Sequence, residues 1–172
     1  MYKGKPTVLY IHGYESAPTP AKTMALSDLG FAVIAPKIHY VENYNTYERL
    51  KSLALEYQID WLVGSSLGGY TAFWLSQELI LPTLLFNPSL IFKRTDPGLV
   101  KKDLEIKNFN QTIFLGLKDT TVDPLLTQKW LEKRQILDRV KIIKNEEHAH
   151  EISLDVFTHT IQTVNPFASS HE

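Results

Sequence analysis

The chain has 172 residues, of which 44% are hydrophobic and 22% are charged, and its formal net charge is −1. These totals are typical of one folded domain and give no electrostatic case for binding nucleic acid or an anionic membrane surface. The chain contains no cysteine, which excludes disulfide bonds, thiolate catalysis and cysteine-ligated zinc. The first apolar run is too short for a signal peptide, and no stretch is long enough for a transmembrane helix, so we expect a cytoplasmic protein.

Short β-branched and aromatic runs alternate with longer helix-forming segments along the chain, and capping signals such as Thr19-Pro20 and Gly30 mark helix ends. This alternation predicts a three-layer α/β/α sandwich around a mostly parallel sheet of about six strands. We expect one domain over residues 1–172, with 89–110 as a short cap-like insertion without a firm element. The predicted strands are 7–11, 31–36, 59–64, 82–88, 111–119 and 140–144, and the predicted helices are 19–30, 45–57 (with a capping box), 67–80, 123–135 and 151–164.

Residues 64–68 read GSSLG and join a predicted strand to a predicted helix. This is the setting of a nucleophile elbow, in which Ser66 lies in a tight turn at positive φ. Such a turn leaves no room for side chains two positions away, which explains Gly64 and Gly68. The alternative is a glycine-rich nest that binds a small anion, although the sequence matches neither GxxxxGK[ST] nor GxGxxG. We favour Ser66 as a nucleophile.

A serine nucleophile needs a base and an orienting acid, which follow it in the chain order Ser, Asp or Glu, His in this type of fold. Asp119 ends a predicted strand, whereas the rival Asp123 is explained as the N-cap of the helix that begins at Pro124. The last strand is followed by a loop with two histidines, and we favour the first, His148, over His150 as the base. His12 is expected to be structural.

Two further features of these loops bear on chemistry. The oxyanion of acyl transfer needs preorganised donors, for which we expect the backbone N–H groups of Leu67 and Tyr14. A metal site built from His148, His150 and Glu151 is disfavoured, because the spacing is not HExxH and one short loop seldom supplies a whole site.

The stretches LYIHGYESAPTPAKT, VGSSLGGYTAFWLSQ, LPTLLFNPSL, GLKDTTVDP and EEHAHEI together resemble the YqiA/YcfP-like small bacterial esterases of the α/β-hydrolase superfamily. The resemblance implies a minimal α/β-hydrolase fold without a large lid, and a triad of Ser66, Asp119 and His148. The sequence departs from that family in its acidic EEHAH segment, where His150 replaces a phenylalanine.

The sequence therefore predicts a serine hydrolase that cleaves short- to medium-chain acyl esters or thioesters, small-molecule substrates, through an acyl-enzyme and without a cofactor or metal. The alternative is a non-catalytic binding protein that has kept the fold. The residues expected to line an acyl pocket are Tyr14, Trp74, Leu90 and Phe92.

Overall fold

The computed structural model describes residues 4–14, 16–40, 45–91 and 104–168. In this part of the chain, six strands form one parallel sheet in the order β2-β1-β3-β4-β5-β6. The elements in chain order are β1 (Thr7–Ile11), α1 (Pro20–Asp28), β2 (Ala32–Ile34), α2 (Thr46–Glu56), β3 (Trp61–Ser65), α3 (Leu67–Leu79), β4 (Thr83–Phe86), β5 (Gln111–Gly116), α4 (Pro124–Lys133), a 3₁₀ turn (Leu137–Arg139), β6 (Lys141–Asn145) and α5 (Leu154–Val164).

The predicted fold class is confirmed, and every predicted helix and strand is present, the first strand with the predicted bounds and the others with ends shifted by one to three residues. The strand expected over 111–119 ends at Gly116, where the N–H of Asp119 donates to the Gly116 carbonyl and turns the chain. The capping box expected at α2 does not form its cap, since the Asn45 side chain makes no capping hydrogen bond. The 3₁₀ turn before β6 was not predicted. Most of the expected insertion, 92–103, lies outside the described residues.

Alternate residues of the strands pack on opposite faces of the sheet, as the period of two in a strand requires. In β1, Leu9 and Ile11 face a core shared with α2 and α3, whereas Val8 and Tyr10 face a second core shared with α1 and α5. Both faces of β1, β3 and β4 are therefore buried, which explains their nearly continuous apolar sequences.

The strand order reverses at β1, which lies between β2 and β3. In open α/β sheets, ligands bind beyond the carboxyl ends of the strands at such a reversal. The loops that follow β1 and β3 leave the sheet there, and they carry His12-Gly13 and Ser66. No helix among the described residues is long and apolar enough to cross a lipid bilayer.

Candidate active site

Ser66 lies in a strained turn between β3 and α3, with φ +53° and ψ −118°. A non-glycine residue adopts a positive φ only where the surrounding structure imposes it. The contacts that impose this conformation involve Gly64 and Gly68, which lie two positions before and after Ser66. A methyl group on Gly64 would lie 2.6 Å from the Gly68 carbonyl oxygen, and one on Gly68 would lie 2.1 Å from the Ile11 carbonyl oxygen. The spacing of glycines around Ser66 is thus a steric requirement of this turn.

A buried carboxylate and an imidazole meet at the carboxyl end of β5. The Asp119 side chain is fully buried, and its Oδ2 lies 2.8 Å from Nδ1 of His150. Its Oδ1 accepts the N–H groups of Thr121 and Val122, both at 2.8 Å. These bonds fix the carboxylate, so Nδ1 of His150 is held as the donor and Nε2 is the nitrogen that can exchange a proton with a bound ligand. Asp123 caps α4 instead, with Oδ1 accepting the Leu125 N–H at 2.8 Å.

The expectation that His148 would pair with Asp119 is corrected by this geometry, which gives the contact to His150. The reason is a tight turn directly after β6, in which Oδ1 of Asn145 accepts the N–H groups of Glu147 and His148. The turn directs the His148 ring toward two other side chains. Its Nδ1 lies 3.1 Å from Oδ1 of Asn145, and its Nε2 lies 3.3 Å from Oγ of Ser153. The chain comes within hydrogen-bonding distance of Asp119 only after this turn, at His150, which is two residues beyond His148.

Asn87, which no sequence motif singled out, connects two loops. The first is the loop after β5 that carries Asp119 (117–123, the acid loop), and the second is the loop after β6 that carries His150 (146–153, the base loop). It is 2% exposed and has φ +43° at the end of β4. Its Nδ2 donates to the carbonyl oxygens of Ala149 (3.0 Å) and His150 (3.1 Å), while its Oδ1 accepts the Gly116 N–H at 2.7 Å. The available signal was an asparagine directly after an apolar strand, at the sheet edge where the other site residues lie.

The close packing of these two loops also depends on Gly116. A methyl group there would lie 2.5 Å from the His148 carbonyl oxygen and 2.6 Å from that of Ala149. The backbone of the base loop is further joined to the acid loop by the Lys118 N–H, which donates to the His148 carbonyl at 3.0 Å. His150 is therefore held in place by the backbone as well as by Asp119.

The loop after β1 is held rigidly by buried His12. Its Nε2 accepts the Ile38 N–H at 2.8 Å, and its Nδ1 donates to the Gly13 carbonyl at 2.7 Å. The bond from Ile38 requires an unprotonated Nε2 and therefore the neutral imidazole, and burial lowers the pKa of His12 in the same direction. The Tyr40 hydroxyl donates to the His12 carbonyl. The structural role predicted for His12 matches these contacts.

This fixed loop lies directly against the serine, since a methyl group on Gly13 would lie 3.2 Å from Cβ of Ser66. The backbone N–H of Tyr14 follows Gly13 in this loop. Leu67 is the first residue of α3, so its N–H has no acceptor within the helix. The two groups expected to bind an oxyanion therefore belong to the residue after Ser66 and to the loop that packs against Ser66.

Ser66 and His150 line one cavity of about 360 Å³ at the carboxyl edge of the sheet. Tyr14 also lines it, and so does Tyr10, whose pKa burial raises to about 12. Its wall is completed by residues from the loop after β1, from α1, from the end of β3 and from the loop after β6: Gly13, Ser16, Ala17, Thr19, Lys22, Ser65, Glu151 and Ile152.

The other residues expected in an acyl pocket lie elsewhere. Trp74 packs edge-on against Phe73 and Trp130, with ring centroids 5.2 and 6.2 Å apart, on the sheet face that carries α3. Leu90 is 2% exposed and belongs to the same core. Trp74 packs on this core from α3 and Leu90 from the segment after β4, and neither side chain lines the cavity that contains Ser66. Phe92 lies outside the described residues.

The chain was compared with known protein families and solved structures. Residues 7–137 match the family described as "Uncharacterised protein family (UPF0227)". The chain belongs to this family. The family resemblance predicted from the sequence motifs is thereby confirmed.

Solved structures with this fold include several α/β hydrolases. One is a candidate hydrolase of the α/β superfamily from Xanthomonas campestris pv. campestris. It is 18% identical to this chain with a TM-score of 0.63, and the match covers 92% of this chain and 99% of the other. Est1E from Butyrivibrio proteoclasticus is 13% identical with a TM-score of 0.68, covering 93% and 86%. A Xanthomonas campestris α/β serine hydrolase without a lid is 14% identical with a TM-score of 0.57, covering 95% and 79%. The fold of this chain is therefore that of the α/β hydrolases.

Proposed function

We propose that the protein is a serine hydrolase that cleaves carboxylic esters or acyl thioesters of short to medium chain length. The proposal rests above all on one arrangement: Ser66, held at positive φ, shares a cavity with His150, whose Nδ1 is bound to buried Asp119. Nucleophile, base and orienting acid are recognised by such geometry. The solved neighbours that are described as esterases or serine hydrolases support the same reaction class.

In the proposed reaction, Oγ of Ser66 attacks the acyl carbonyl carbon while its proton passes to Nε2 of His150. The resulting oxyanion accepts hydrogen bonds from the backbone N–H groups of Tyr14 and Leu67. Collapse breaks the bond to the leaving group, which takes the proton back from His150. Water then attacks the acyl-enzyme by the same route and releases the acid. Asp119 keeps the ring oriented and stabilises the imidazolium.

Fluorophosphonate labelling followed by mass spectrometry tests this proposal. The probe should modify Ser66 alone, and a panel of 4-nitrophenyl esters of increasing acyl length should be hydrolysed by the wild type and not by Ser66→Ala. Ser65→Ala is the matched control, because Ser65 lines the same cavity one residue earlier. Unlabelled Ser66 together with no ester hydrolysis by the wild type would favour a non-catalytic binding protein, whereas hydrolysis that survives in Ser66→Ala would refute Ser66 as the nucleophile.

A further inference from the structure

Lys22 is a cationic residue in the wall of the proposed active-site cavity, together with Ser66 and His150. It lies in the first turn of α1, where its backbone N–H donates to the side chain of the N-cap Thr19 at 3.4 Å. The proposed catalytic reaction has no step for an ammonium group at this position.

Within the described part of the chain, the contacts of Lys22 do not neutralise its charge. Its Nζ lies 5.4 Å from the ring centroid of Phe157, an aromatic side chain of the core. Among the described residues, no carboxylate forms a salt bridge with it. Glu151, the only carboxylate on the cavity wall in this part of the chain, is exposed and affects Lys22 through space. Water therefore screens much of the negative charge that Glu151 could offer.

Local helix energetics do not explain a lysine at this position either. Helix N-termini favour acidic side chains and disfavour cations, because the backbone N–H groups give them a partial positive charge. The first turn of α1 contains no acidic residue to offset this. Partial burial disfavours the ammonium further and lowers the pKa of Lys22. An anion bound in the cavity would relieve both penalties.

We infer that Lys22 selects substrates that carry a negatively charged group, such as a carboxylate, a few bonds from the scissile carbonyl. The ammonium would form a charge-assisted hydrogen bond with this group while the carbonyl lies at Ser66. This inference rests on the proposed hydrolase function. It makes Lys22 a specificity residue and leaves the chemical steps at Ser66 and His150 unchanged.

Two matched esters test the inference: mono-4-nitrophenyl glutarate, with a free carboxylate, and its methyl ester, which is neutral and has the same acyl chain and leaving group. The wild type should have the higher kcat/KM for the charged ester. Lys22→Met should lower kcat/KM for the charged ester by about tenfold to a hundredfold and change that for the neutral ester by less than about threefold. Lys22→Arg should keep the preference, which added salt should weaken.

Lys129→Met is the control for net charge, since Lys129 is exposed on α4 and lies outside the cavity wall. Equal loss for both esters in Lys22→Met would overturn the inference, because it would show that Lys22 only packs on Phe157. A wild-type preference for the neutral ester, or for a trimethylammonium ester of matched length, would also overturn it. Hydrolysis of the neutral ester that depends on Ser66 keeps the proposed function intact in either case, whereas no hydrolysis of any ester refutes the function and the inference with it.

Discussion

Replacement of Asn87 should separate the positioning of the base from the stability of the fold. In Asn87→Ala, the Gly116 N–H loses its buried acceptor, which costs roughly 1–3 kcal/mol, and two donated hydrogen bonds are removed at about 0.5–1.5 kcal/mol each. Alanine at φ +43° adds about 1–2 kcal/mol. Because water can reach the carbonyls of the partly exposed base loop, we expect a total loss near 3–4 kcal/mol in the free energy of unfolding.

The effect on activity should be larger than instability explains. Without the Asn87 amide bound to its two carbonyl groups, the base loop can shift by about 1 Å, and a displacement of this size can lower the rate about a hundredfold. We expect kcat for a 4-nitrophenyl ester to fall roughly tenfold to a hundredfold with KM nearly unchanged, measured where urea titration shows the variant folded.

Two controls sharpen this test. Asn87→Gly removes the same hydrogen bonds without the backbone strain, so it should be more stable than Asn87→Ala and equally slow. Leu50→Ala truncates a side chain that is 1% exposed in the core between the sheet and α2, and should cost a similar 2–5 kcal/mol. The reasoning is refuted if Leu50→Ala and Asn87→Ala lower kcat equally, or if kcat of Asn87→Gly equals that of the wild type.

Three further outcomes follow from the structure. His150→Gln should lower kcat by about 10²–10⁴-fold, whereas His148→Gln should retain activity within a few-fold; the reverse order in ester assays would return the base to His148. The neutral form of His12 is favoured in the folded state, so its contribution to stability is present above the ordinary histidine pKa of 6.5 and is lost as the pH falls below it. In urea titrations from pH 7 to 5, the free energy of unfolding should fall more steeply with pH for the wild type than for His12→Gln. Equal slopes of this free energy against pH would contradict the assignment. Gly68→Ala should destabilise the fold by roughly 3 kcal/mol or more because of its backbone overlap, while Gly4→Ala, with no atom within 4 Å of the added methyl group, should unfold like the wild type.

The sequence by itself determined the features that depend on neighbouring residues. Alternating strands and helices specify a parallel sheet, because each crossover returns the chain to the same edge. The Gly64 and Gly68 spacing specifies the turn at Ser66, because the clashes that exclude side chains there arise within a few residues of it and against the adjacent strand. Asp123 and Pro124 likewise identify a helix start from local capping rules, which leaves Asp119 as the candidate acid.

Only the tertiary structure decided which histidine meets Asp119 and which side chains line the cavity. Two histidines separated by a single residue in a loop are equivalent by pattern, and the choice depends on the turn at Asn145 and on the hydrogen bonds from Asn87, 62 and 63 residues away from Ala149 and His150. Trp74 could not be placed for the same reason, since its surroundings come from α4 as well as α3. Contacts between segments distant in sequence arise only when the sheet assembles, and no local pattern encodes them.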